Sequence, residues 1–213
     1  MNRRRVLMGV KKDGRLPAGF QEVEYLESSL NGGQKIQIYD VHRSAMSARI
    51  QYYAFPNGLG HNGGSDGTGN RGRLSLGANN SKVFGFNLGN VSNSSSRYVD
   101  SEPHTLNLDL SASLLSGSLY VDGDFVYSQT ATTLADPTYA FYLFAYQGYS
   151  TVTYAACRIF WFKIGDSYDL IPCIRKSDNK PGMYDLCSSI CPLTGTPFYI
   201  NAGTGEFITG NTV

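Results

Sequence analysis

Long apolar runs are missing from the sequence, and so is any segment of about ten residues with a clean helical stripe. The first absence excludes a membrane-crossing helix, and the second argues against a helical architecture. Charged side chains are sparse at 16%. Histidine is limited to His42, His61 and His104, spread far apart along the chain. A serine triad through Ser65 therefore has nothing in the sequence to support it. The four cysteines are Cys157, Cys173, Cys187 and Cys191. Cys187 and Cys191 offer half of a zinc site at most, because no second pair or histidine cluster follows them. A disulfide between those two is the alternative, and buried or loop thiols are the plain expectation. No secretory leader is recognisable. After Arg3, Arg4 and Arg5 only residues 6–10 are apolar, short of the roughly 7–15 residues that such a leader needs. Reduced thiols are the default in that setting.

What is present is aromatic and turn-forming. The 213 residues include 15 Tyr, 11 Phe and 24 Gly, with Ser, Thr and Asn every few positions. Many short strands joined by tight turns have this composition, and the length suits one large β-sandwich. The net charge of +1 hides an asymmetry: residues 1–15 carry six basic and one acidic side chain, +5, which leaves 12 basic against 16 acidic, −4, for the rest. We read residues 1–15 as a basic arm, with Arg3, Arg4, Arg5, Lys11 and Lys12 as an assembly anchor, and residues 16–213 as the folded domain. Three adjacent arginines are too few to assign nucleic-acid binding.

Strand signals run the length of that domain. In "LPAGFQEVEYLESSL" (16–30), Val23, Tyr25 and Leu26 are expected to point inward. "QKIQIYDV" (34–41), "AMSARIQYYAF" (45–55), "RLSLGA" and "KVFGFNLG" read as further strands. In "HTLNLDL" the leucines Leu106, Leu108 and Leu110 alternate with polar residues. "SLYVDGDFVY" sets Asp122-Gly123 between two strands, which favours a two-residue type I′ turn. Asp122 and Asp124 are also candidate calcium ligands, although a turn accounts for both. "TYAFYLFAY" (138–146) and "CRIFWFKIG" (157–165) are expected to be continuous central strands, with the lone Trp161 in the core.

The stretch "GLGHNGGSDGTGNRG" (58–72) matches GxGxxG twice and GxSxG once. Each motif works only where a strand enters and a helix leaves. Here a strand, a turn and a strand follow, so the stretch is read as a long surface connection. Glycosidases on a β-sandwich need two carboxylates facing each other across the scissile bond. Glu22, Glu24 and Glu27 miss the alternating spacing that would align them, and Asp100 and Glu102 lack a first partner. The chain is therefore read as not an enzyme. Saccharide binding needs an aromatic platform flanked by amides and carboxylates. Tyr146, Tyr149 and Tyr154, with Asn62, Asp66, Asn70 and Arg71 from the Gly-rich stretch, are the candidates.

Three stretches carry a family resemblance: "LPAGFQEVEYLESS" at the start, "RIFWFKIGDSYDLIPCIRKSDNKPGMYDL" at 158–186, and "FYINAGTGEFITG" at 198–210. Together they resemble a group of concanavalin A-like domains, related to laminin-G and pentraxin jelly rolls, found in phage and gut-bacterial proteins. The "SLYVDGDFVY" hairpin is similar to one in laminin-G domains, and "MNRRRVLMG" resembles the start of short phage-encoded members. This sequence departs from the pattern at "SSLNGGQKIQIYD", at the long Gly-rich stretch and at an insert, "CSSICPLTGTP" (187–197). The resemblance implies an all-β jelly roll of two antiparallel sheets. It also implies a virion component made in the host cytoplasm, such as a head fibre, capsid decoration or tail adhesin. Its expected partners are other virion proteins, further copies of itself and a glycan, with no cofactor and no membrane. A carbohydrate-binding surface protein of a gut bacterium, or a glycoside hydrolase, is the alternative.

Overall fold

Period-two alternation of apolar side chains builds two facing sheets. The computed structural model describes residues 15–29, 33–39, 45–54, 59–62, 73–78, 83–89, 91–111, 115–132, 140–147 and 152–213. Among the described residues every regular element is a strand. In chain order these are β1 (Phe20–Glu22), β2 (Leu26–Glu27), β3 (Ile36–Ile38), β4 (Met46–Ala54), β5 (Leu59–Asn62), β6 (Arg73–Ala78) and β7 (Val83–Gly89). They continue with β8 (Val91–Tyr98), β9 (His104–Leu110), β10 (Ser116–Val121), β11 (Asp124–Thr130), β12 (Phe141–Leu143) and β13 (Ala145–Gln147). The last are β14 (Val152–Tyr154), β15 (Ala156–Ile164), β16 (Tyr168–Arg175), β17 (Lys180–Asp185), β18 (Phe198–Ile200) and β19 (Ile208–Thr209).

The larger sheet runs β11-β10-β9-β4-β15-β16-β17-β18, with β1 on β16, β2 on β15 and β19 on β2. The smaller runs β14-β13-β5-β6-β7-β8, and β3 pairs with β12 beside them. Neighbours are antiparallel, apart from the parallel pairing of β13 with β5. This is the all-β jelly-roll sandwich expected from the sequence. Residues 1–14 of the basic arm lie outside the described residues.

The core lies between the sheets. From the larger sheet come Met46, Ala48, Ile50, Leu106, Leu108, Leu119, Val121, Ile159, Phe162 and Ile164, and from the smaller Leu74, Leu76, Phe84, Phe86 and Leu88. Each large side chain removed from water contributes about 1.5–3 kcal/mol, before the entropy cost of ordering it. Polar bonds also cross the interior. The Tyr127 ring stacks on Phe86 at 5.1 Å, and its hydroxyl accepts from the Phe86 amide at 2.8 Å. Gln129 Nε2 donates to the Phe86 carbonyl at 3.0 Å. Gly117 makes room for that ring: a Cβ there would lie 3.0 Å from it.

The Asp122-Gly123 turn has the expected form, with φ of 56° and 91°. Three expectations need correction. The stretch at 138–146 is not one strand. Buried Phe144 has φ of 62°, so the chain turns there, and β12 pairs with β3 while β13 joins the smaller sheet. This left-handed backbone costs about 1–3 kcal/mol, offset by burial of a ring lying 4.7 Å from that of Phe207. Second, Trp161 is only half-buried and faces outward. β15 carries a bulge, since Ile159 sits opposite Ile50 and Trp161 opposite Arg49, leaving Phe160 over. Phe160 and Trp161 therefore both lie on the outer face between inward Ile159 and Phe162. Third, Tyr25 is half-buried with its ring on that same outer side, while Val23 and Leu26 point in as expected.

Candidate functional site

Of the saccharide candidates, Asn62, Tyr146 and Tyr154 lie among the described residues. Tyr149, Asp66, Asn70 and Arg71 lie outside the described residues. β5 and β6 form the base of the Gly-rich stretch, with Asn62 opposite Arg73 at its mouth. β13 runs alongside that base, Tyr146 next to Gly60. The tyrosine hairpin and the Gly-rich stretch are thus neighbours in the smaller sheet. However, Tyr146 is directly opposite Thr153, and Tyr154 is opposite buried Ala145. Opposed residues share a face and successive ones alternate, so Tyr146 and Tyr154 point to opposite sides. Both are half-buried.

The calcium candidates are already committed. The Asp122 carboxylate accepts from the Thr105 amide at 2.9 Å and from Arg97 at 2.9 Å, and it lies 2.7 Å from His104 Nδ1. Arg97 also reaches Asp124 at 3.5 Å. A guanidinium and a turn use the charge that a metal would need. Among the described residues, no group of three or more His, Cys, Asp or Glu is arranged to hold a metal ion. His104 is held on both sides, with Nε2 at 2.8 Å from Asp100. Burial alone would lower its pKa, but the Asp122 and Asp100 carboxylates outweigh this and raise it above the ordinary histidine value. With a carboxylate on each ring nitrogen, this imidazole has no nitrogen left to act as a general base on another group. Glu22 pairs with Arg15 and Glu27 with Arg158, on separate strands, so neither faces the other across a cleft.

A different surface stands out. On the outer face of the larger sheet, aromatic rings and arginines form an unbroken zigzag. The Arg49 guanidinium lies 5.6 Å from the Phe160 ring centre, and Phe160 meets Tyr25 edge-on at 5.5 Å. Tyr25 lies 4.4 Å beneath Arg158, which also covers Tyr53 at 5.3 Å. Trp161 flanks Arg49 through the strand register. Arg158 Nε donates to Glu27 at 2.8 Å, and Gln51 lies opposite Arg158 in the same row. Tyr53 is 41% exposed, so the layer meets water at that end. Burial and the adjacent Glu27 carboxylate push the Tyr53 hydroxyl well above the usual phenol range, so it stays neutral. Chemically the face offers flat apolar rings with fixed polar donors and acceptors at their edges. Sequence reading missed it because "CRIFWFKI" looks apolar on both sides. The one signal was Arg158, a charge inside an otherwise apolar strand.

No known family profile matches the chain, and no curated protein matches it. Among solved structures, the chain is similar to the Trypanosoma rangeli sialidase in complex with 2,3-difluorosialic acid. That match has 12% identity and a TM-score of 0.41, and covers 68% of this chain and 30% of the sialidase. It is also similar to Bacillus licheniformis beta-glucanase, at 13% identity and a TM-score of 0.29, covering 70% of this chain and 68% of the other. Likenesses this distant carry no argument about activity.

Proposed function

We propose that this protein is a non-enzymatic binding module that lays a saccharide along the outer face of its larger sheet. The observation that carries the reading is the zigzag of Arg49, Phe160, Tyr25, Arg158 and Tyr53, with Trp161 beside it. Sugar rings present C–H faces that pack on aromatic rings, while their hydroxyls bond to groups such as Glu27 and Gln51. The absence of an available base at His104 and the separated glutamates favour binding over hydrolysis. The resemblance of the two ends of the domain to phage-encoded jelly rolls supports display on a virion, with residues 1–15 as the anchor to neighbouring subunits.

The test is a glycan array probed with the full chain presented multivalently, beside Tyr53→Ala and Tyr25→Ala. Binding that falls about tenfold or more in both variants, with an unchanged thermal midpoint, is the expected result. Repeated absence of binding by the wild type would remove the saccharide reading. Mass spectrometry of purified particles tests the virion placement. A particle lacking the chain would remove that part.

A further inference from the structure

Arg49 is the odd one among the arginines. Of the described arginine side chains, Arg15 pairs with Glu22, Arg97 with Asp122 and Asp124, Arg158 with Glu27 and Arg175 with Asp178. Among the described residues, no carboxylate pairs with Arg49. Arg49 is half-buried, with its guanidinium over the Phe160 ring and Trp161 opposite it in the register. Around it Arg158 pairs with Glu27 and Lys163 with Asp169, so of these three cations Arg49 is the one with no carboxylate partner among the described residues. A guanidinium held against an aromatic ring presents a planar fork of donors suited to an oxyanion.

We infer that Arg49, Phe160 and Trp161 form a subsite for the carboxylate or sulfate of an acidic saccharide. The inference rests on the saccharide reading above and narrows it to charged sugars. One unmatched cation suits one anionic substituent on a sugar whose ring packs on Phe160 or Trp161. A nucleic-acid backbone needs several unmatched cations in a row, and the neighbouring Arg158 and Lys163 are already paired. The mild −4 balance of residues 16–213 also opposes a dense polyanion.

The test measures dissociation constants of the full chain for four probes: an oligogalacturonate tetramer, a chondroitin sulfate tetrasaccharide, cellotetraose and a dodecamer of thymidylate. The wild type should bind at least one acidic saccharide more tightly than cellotetraose, with an affinity that falls as salt rises. Arg49→Gln should weaken that binding by about tenfold or more while changing cellotetraose binding less than about twofold. Arg49→Lys should fall between, since it keeps the charge and loses the planar fork. Equal weakening of acidic and neutral sugars, or none, overturns the subsite. Binding of cellotetraose alone overturns it and leaves the outer-face reading standing. Binding of no saccharide overturns both. Tighter binding of the thymidylate dodecamer than of any saccharide replaces the acidic sugar with a nucleic acid.

Discussion

Replacing Asp185 with alanine should cost more stability than any other single polar substitution among the described residues. Its carboxylate is fully buried. It accepts from the amides of Asp169 at 2.7 Å, Cys187 at 3.1 Å and Ser189 at 2.8 Å, and from the Ser189 hydroxyl. That hydroxyl also lies 2.9 Å from the Tyr199 hydroxyl. The carboxylate thus ties the insert at 187–197 to the end of β17. Hydrogen bonds to a charged group are worth about 1.5–3 kcal/mol each, so four would suggest an upper bound of roughly 6–12 kcal/mol. Cys187 is exposed and Ser189 close to the surface, so water can take over part of the loss. We expect about 3–4 kcal/mol for Asp185→Ala, or a fall of roughly 6–16 °C in Tm for a chain of this size. Asp185→Asn keeps the shape but turns an NH2 towards amide donors, and should cost about 2 kcal/mol. Ser189→Ala should cost about 1 kcal/mol. Urea unfolding followed by the fluorescence of the single tryptophan, Trp161, gives these differences directly. A loss below about 1 kcal/mol for Asp185→Ala would show that water or a rearranged insert satisfies the freed amides, and would refute the reasoning.

Further outcomes follow from the same structure. His104 has a raised pKa, so its contribution should be fully present below the unfolded histidine value and lost as pH rises through the folded one. Asp100 is lowered chiefly by its bond to His104; for Asp122, burial opposes the lowering but the His104 bond, the Thr105 amide and Arg97 prevail. The two carboxylates act in the opposite sense, losing their contribution as acid titrates them. Tm should therefore fall from about pH 6.5 upward in the wild type, and His104→Asn should flatten that limb of the melting curve; an unchanged slope would count against the charged cluster. Gly182→Ala should destabilise strongly, because a Cβ there would lie 2.4 Å from the Tyr199 carbonyl oxygen and 2.6 Å from the Phe198 ring; a normal melting midpoint would show that β18 can move away. Burial pushes the Cys157 and Cys173 thiols up to about 12, and Cys187 is exposed. Ellman's reagent at pH 8 should modify one thiol quickly in the native protein, and Cys187→Ser should remove that fast phase.

What the sequence revealed depended on how locally each feature is determined. The Asp122-Gly123 turn was legible because two residues fix its dihedrals. Leu106 and Leu108 were legible because their neighbours Asn107 and Asp109 are polar. β8, with its "VSNSSSRY", was not recognised, since a strand rich in serine and asparagine at the sheet margin reads like a loop. Phe144 gives no glycine or asparagine signal for its left-handed turn; its conformation is imposed by the two partners that β12 and β13 must reach. The two described tyrosines among the saccharide candidates were misjudged for a related reason. Proximity in sequence put Tyr146 and Tyr154 together, but the register sends them to opposite faces. The aromatic zigzag joins β4, β15 and Tyr25 at the edge of β2, far apart in sequence, so only strand order could assemble it.

The bulge in β15 has one more implication. Remove Phe160 on paper and the strand becomes regular from Cys157 to Ile164: Cys157, Ile159, Phe162 and Ile164 keep facing inward, and Arg158, Trp161 and Lys163 keep facing out. The core needs nothing from Phe160. It is a supernumerary residue that widens the outward surface by one ring without disturbing a single inward position. Deletion of Phe160 should therefore yield a folded protein that has lost the ring linking Arg49 to Tyr25. Deletion of Ile159 or Phe162 would instead cost the core a large side chain. The interior would tolerate an uninterrupted strand, so the break in its rhythm is a feature that only the outer surface uses.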